Sequence, residues 1–169
     1  MLRKLAGILV VAGSLMSLGA VATISAGDDV PFPNGFRDWF AVNSMIVTKD
    51  SPMFGQIGGM HIIYVNAQGL ATLKTGGPFP YPDGSVFADD VHEFSVQDGS
   101  YVEGKKKAVT VMIKDAKKYT ANGGWGFQAW AGGDPSKPLV PDAAHATQAC
   151  FACHTPQKSQ DFTFSTYIP

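Results

Sequence analysis

Cysteine is nearly absent, with two residues in a chain of 169. They could close one disulfide at most, which excludes a small scaffold stapled by cystines. Charge is scarce as well: 16% of residues are charged, 13 basic and 14 acidic, for a formal net charge of −1. That balance lacks the electrostatic footprint of a nucleic-acid-binding protein, and nucleic acid is excluded as a partner. There is no internal repeat, no heptad pattern and no collagen-like composition. What is present is a 45% hydrophobic content, enough for a packed core in one domain.

The one long apolar run lies at the start. Met1-Leu2-Arg3-Lys4 precedes an apolar stretch from Leu5 to about Ala22, with small residues at Ala20-Val21-Ala22 and Ser25-Ala26. A basic start, an apolar middle and a small-residue end are the pattern of a secretory signal peptide. Gly7, Gly13, Ser14, Ser17 and Gly19 dilute the run below what a retained membrane anchor needs. Residues 1–26 are therefore expected to be a signal peptide, cut after Ala22 or Ala26, and 27–169 a single domain. The mature chain would hold 11 basic and 14 acidic residues in an oxidising compartment, the periplasm if the source is a Gram-negative bacterium.

Along the mature region the strand signals dominate. Ala41–Thr48, Met60–Val65, Ser85–Val96, Ala108–Ile113 and Gly124–Trp130 are rich in β-branched or aromatic residues and predict strands. Asp98-Gly99 predicts a tight hairpin. Lys105-Lys106-Lys107 reads as a solvated hairpin tip beside it. Asn66 is positioned to cap a short helix running to Lys74, which Thr75-Gly76-Gly77 would end. Pro78-Phe79-Pro80-Tyr81-Pro82 removes three backbone donors in five residues and cannot be regular structure. Asp142 to Cys153 is alanine-rich and should be helical, with Asp142 as its cap. Phe162–Tyr167 suggests one more short strand. The expected fold is mainly β (α+β): an antiparallel sheet, a few short helices and a C-terminal helix.

That last helix carries the chemistry. Cys150-Phe151-Ala152-Cys153-His154 is C-x-x-C-H, the attachment pattern of a c-type haem. Two thiols three residues apart lie on one side of a helical turn and can reach two vinyl groups of one porphyrin. The next residue, His154, is then held under the iron as its proximal ligand. A structural disulfide would close too short a loop to stabilise much. A thioredoxin-like pair needs a βαβ context, and a zinc site would need two more ligands among His61, His92, His145 and His154. One covalently attached haem c is the expected cofactor, with metal ligand His154.

The sixth iron position decides what such a protein does. Met45, Met53, Met60, Met112, His61, His92 and His145 are the candidates, and Met60, Met112 and His61 sit inside strands as packing residues. No methionine occupies a loop of the kind that small helical cytochromes use. An open iron is the favoured expectation.

Several ordered motifs are similar to those of the cytochrome P-460 family, which includes the cytochromes c′-β. Phe36-Arg37-Asp38-Trp39 resembles an aromatic-Arg-acid-Trp entry. Leu73-Lys74-Thr75-Gly76, Phe79 and Pro82-Asp83-Gly84-Ser85-Val86 resemble the Lys-Thr-Gly…Asp-Gly segment. Trp125-Gly126-Phe127 resembles the Trp-Ala-Phe strand. Cys150–His154 with Asp161-Phe162-Thr163-Phe164 resembles the C-terminal haem site. The resemblance implies a β-sheet haem domain over 27–169, usually a homodimer, with an open distal face. In cytochromes P-460 a lysine is linked to the porphyrin and hydroxylamine is oxidised; Lys74 matches that lysine. In the c′-β branch phenylalanine caps the distal side and nitric oxide or carbon monoxide binds without established turnover; Phe79 would belong to such a wall.

The residues themselves leave alternatives. Lys74 at a helix end ordinarily complements the dipole in solvent, and only a neutral amine could attack a porphyrin. Arg37 would steer anions, meet a propionate, or pair with a nearby acid. Hydroxylamine oxidation releases protons, so a base is needed. Among Asp89, Asp90 and Glu93, alternation puts Asp89 and Glu93 on one face and Asp90 on the other. The resemblance adds that Gly126 stands where some catalytic relatives carry a polar side chain, and its lack of one favours a hydrophobic pocket. Three functions follow: a small nitrogen-ligand (nitric oxide) binding cytochrome, a hydroxylamine oxidoreductase passing electrons to a partner cytochrome, and a plain electron carrier.

Overall fold

A computed structural model describes residues 30–169. The signal-peptide reading of 1–26 lies outside them. Five strands form one antiparallel sheet in sequential order: β1 (Phe40–Val47), β2 (Gly59–Val65), β3 (Val86–Gln97), β4 (Ser100–Lys114) and β5 (Trp125–Ala131). Each of the five expected strands is there. The Asp98-Gly99 turn closes β3 on β4 with both residues at positive φ, 49° and 77°, as a two-residue hairpin turn requires.

Helix α1 (Phe54–Ile57) is a single turn between β1 and β2. Helix α2 (Ala67–Thr75) follows β2 and is closed at both ends by the residues that announced it. The Asn66 side chain accepts from the Gly69 amide, and Gly76 takes a left-handed φ of 67° and donates its N–H to the last-turn carbonyls of Thr72 and Leu73. The proline-rich segment after it is irregular, with cis bonds at Gly77-Pro78 and Phe79-Pro80.

Residues opposite one another in an antiparallel ladder share a face, so the register divides the sheet in two. One face presents Val65, Phe87, Met112, Trp125 and Phe127, covered by α2 and by the C-terminal helical segment. The other presents Tyr64, Ala88, Val109, Val111 and Trp130, covered by residues 30–39.

Three expectations are corrected here. The triple lysine is not a hairpin tip but lies within β4, where Lys106 reaches Asp90 at 2.7 Å and Lys107 donates to the Gly58 carbonyl. The tail after Phe162 forms no strand. Its alternation survives, with Thr163 and Ser165 buried and Phe164 outward, yet it is held by a Ser165–Asn43 side-chain contact and a Phe40–Tyr167 ring contact instead of a ladder. Gly126 does not shape a pocket on the haem-motif face. A Cβ there would meet the Tyr119 ring at 2.4 Å on the opposite side, so close packing is what requires glycine.

Candidate haem-binding site

Asp142 caps the C-terminal helix as expected, its Oδ1 accepting from the His145 amide at 2.9 Å. The helix is not uniform. Helix α3 (Ala143–His145) runs into a π-helical turn (Ala146–Phe151), where the Ala152 N–H reaches the Thr147 carbonyl five residues back. Helix α4 (Ala152–His154) and a 3-10 stretch (Thr155–Gln160) complete it. The change of pitch falls inside the C-x-x-C-H motif. Such π-turns inside helices are frequent at functional sites.

Across that turn the motif divides by exposure. Phe151 packs inward, 6.3 Å from the Phe127 ring and 4.9 Å from Phe162. Cys150 is half-buried and Cys153 is exposed, and both thiols are free. Burial, with the neighbouring Cys153, raises the Cys150 pKa. His154 is held by one hydrogen bond, from Nδ1 to the Phe162 carbonyl at 2.7 Å. A carbonyl can only accept, so Nδ1 carries the proton and Nε2 keeps its lone pair. Burial pushes the His154 pKa below the usual histidine value, against a smaller opposing pull from the Phe162 carbonyl, which favours the neutral imidazole a metal requires.

These residues fit a haem. Two unpaired thiols and a neutral imidazole with its outer nitrogen free are the complete covalent and axial donor set for one side of an iron porphyrin. The surroundings fit too: Phe164, 5.0 Å from the His154 ring, is 54% exposed, and Phe40 and Ile168 are also uncovered. An apolar cofactor seated beside His154 would cover such surface.

A recess of about 390 Å³ lies nearby, lined by Leu73, Lys74, Phe79, Gln160, Ser165 and Tyr167 among others. It brings together two residues singled out in the sequence. Lys74 is exposed at the end of α2, its Nζ 5.8 Å from both the Phe40 and Tyr167 ring centroids. Phe79 packs on the core through Tyr81 at 5.4 Å.

Arg37 and Glu93 are elsewhere. Arg37 lies against Asp90 at 3.5 Å on the opposite face of the sheet, the ion pair that was one of its alternatives. Asp90 is fully buried there and also meets Lys106 at 2.7 Å and His92 at 3.1 Å. Glu93 follows a bulge in β3, is exposed, and lines a groove with Lys49, Asp50, Tyr101 and Lys107.

Of the β3 acids, Asp89 is the one on the haem-motif face, opposite Ile63 and Thr110. Its Oδ2 lies 2.7 Å from His61 Nδ1, and His61 Nε2 lies 2.7 Å from the Ile57 carbonyl. The carbonyl fixes a proton on Nε2, so Nδ1 and the carboxylate must share a second one. Burial opposes charge on His61, but the Asp89 hydrogen bond and charge, with the Ile57 carbonyl, outweigh it and its pKa stands above the usual 6.5. Asp89 Oδ1 is buried and has no hydrogen-bond partner among the described residues. Sequence reasoning placed Asp89 on one face correctly but took His61 for packing; the signal was the shared parity of His61 and Asp89 across adjacent strands.

A family model described as Cytochrome P460 matches residues 33–165, and the chain belongs to that family. It is thus a haem cytochrome, of a family tied to nitric oxide and hydroxylamine chemistry. Among curated proteins nothing matches the chain.

Proposed function

We propose that the chain carries one haem c, attached through Cys150 and Cys153 with His154 as proximal ligand, and that the other iron face is open to nitric oxide or related small nitrogen ligands. The observation that carries this is the fixed tautomer of His154, whose Nε2 alone is left to bind. The other strand histidines support the vacancy: His61 has both nitrogens engaged and His92 faces Asp90 on the far side of the sheet. When bound, haem supplies the redox-active iron. The chain's own residues do the rest. Cys150 and Cys153 hold the porphyrin edge, the Phe162 carbonyl orients the imidazole, and Phe79 limits water and large ligands.

A second reading, hydroxylamine oxidation, is favoured by the His61–Asp89 pair. It keeps an exchangeable proton on the haem-motif face, where a reaction releasing protons and electrons needs a base. Lys74, in one recess with Phe79, would then be linked to the porphyrin, and a partner cytochrome would take the electrons. Either protein would act after export, in the periplasm of a Gram-negative source and as a homodimer.

The test is the absorption spectrum of the purified ferrous protein. A high-spin spectrum that responds to nitric oxide supports the first reading. A Soret band far to the red, with porphyrin mass retained on Lys74 and lost in Lys74→Arg, supports the second. A low-spin spectrum indifferent to nitric oxide overturns both.

A further inference from the structure

The Phe162 carbonyl that fixes His154 is aimed by an unusual backbone. Asp161 and Phe162 both lie in the left-handed region, at φ 50° and 65°, which side-chain-bearing residues rarely occupy twice in succession. Something must hold that conformation, and the surroundings of Asp161 show what does.

Asp161 is 7% exposed, and both its carboxylate oxygens lie 2.8 Å from Lys114 Nζ, itself 3% exposed. Lys114 also donates to the Gly123 carbonyl at 2.9 Å and lies over the Trp125 ring. The Asp161 carbonyl receives the Trp125 indole N–H at 2.9 Å. From the other side the Tyr81 amide donates to Asp161 Oδ2 at 2.8 Å, tying in the segment that bears Phe79. The Phe162 ring lies against Gly123, where a Cβ would come within 2.3 Å of it.

We propose that Asp161, with Lys114, is a positioning group for the proximal ligand. It locks the two left-handed residues so that the Phe162 carbonyl meets His154 Nδ1, and through Tyr81 it fixes the Phe79 wall in the same frame. The inference rests on His154 being the iron ligand. Outer partners of a ligating histidine set its orientation and basicity, so weakening this anchor alters the iron–histidine bond and not stability alone.

The test is resonance Raman spectroscopy of the ferrous holoprotein with Asp161→Asn, Asp161→Ala and Lys114→Met. The wild type should give a single narrow iron–histidine stretching band. Asp161→Asn keeps the shape and an acceptor for the Tyr81 amide but loses the charge, and its band should move to lower frequency with a raised reduction potential. Asp161→Ala and Lys114→Met should broaden or split it. Should Asp161→Ala fail to fold, Asp161→Asn decides. An unchanged band and potential in folded Asp161→Asn overturns the proposal. A wild type that carries haem but shows no His154–iron band overturns the reading beneath it, and the proposal with it.

Discussion

The two faces of the sheet each bury a carboxylate against a lysine, and they do so differently. On the haem-motif face Asp161 and Lys114 are both almost fully enclosed and are bonded to each other, to the Tyr81 amide and to the Gly123 carbonyl. On the other face Asp90 is fully buried, but its cations, Arg37 at 54% and Lys106 at 27% side-chain exposure, still reach water. An enclosed pair has no solvent to fall back on when one partner is lost, whereas a half-exposed cation can turn outward. The enclosed pair is therefore the stiffer joint, and it stands behind the residue that orients His154.

The largest difference should appear when the acid is removed from each pair. Asp161→Ala leaves the Lys114 charge buried and is expected to cost about 3–5 kcal/mol. Asp90→Ala, whose cations can rehydrate, should cost about 1–3 kcal/mol. Urea unfolding midpoints of the two variants measure this directly, and equal losses would break the contrast.

A smaller effect separates the faces by pH. The pKa of His61 is raised above 6.5 in the folded chain, so its pairing with Asp89 stabilises fully below about pH 6.5 and that contribution is lost as pH rises through the folded value. Stability should fall over that window in the wild type and fall less in His61→Gln. A His61→Gln curve parallel to that of the wild type, followed by thermal unfolding of the holoprotein, would remove the shared proton from consideration.

Phe79→Ala should cost about 2 kcal/mol, near half the range for a fully enclosed phenylalanine because this one is partly exposed. It should also admit water to the recess, seen as a changed ferric absorption spectrum. The smallest expected effect is that of Lys74→Gln on stability, within about 0.5 kcal/mol for an exposed side chain near two rings. A loss above 2 kcal/mol would mean that Lys74 is part of the folded frame.

How far the sequence could be read depends on whether the signal was local. The Asn66 cap, the Asp98-Gly99 turn, the five strands and C-x-x-C-H each rest on neighbouring residues and were legible. The lysine run was misplaced because three charges in a row resemble a solvated turn. What decides their position is Asp90, fifteen or more residues away on the partner strand. The tail read as a strand because alternation measures burial, and Thr163 and Ser165 are buried without any ladder to join.

By itself, then, the order of residues determined the strand succession, the C-x-x-C-H motif and the histidine proposed as axial ligand, since each is encoded within a few positions. Only the tertiary structure decided which histidine nitrogen is free, which acid shares the motif's face, and that Asp161 is enclosed by Lys114, Tyr81 and Trp125. The physical reason is that a proton's place and a buried charge's stability depend on partners that the chain brings from 8 to 80 residues away.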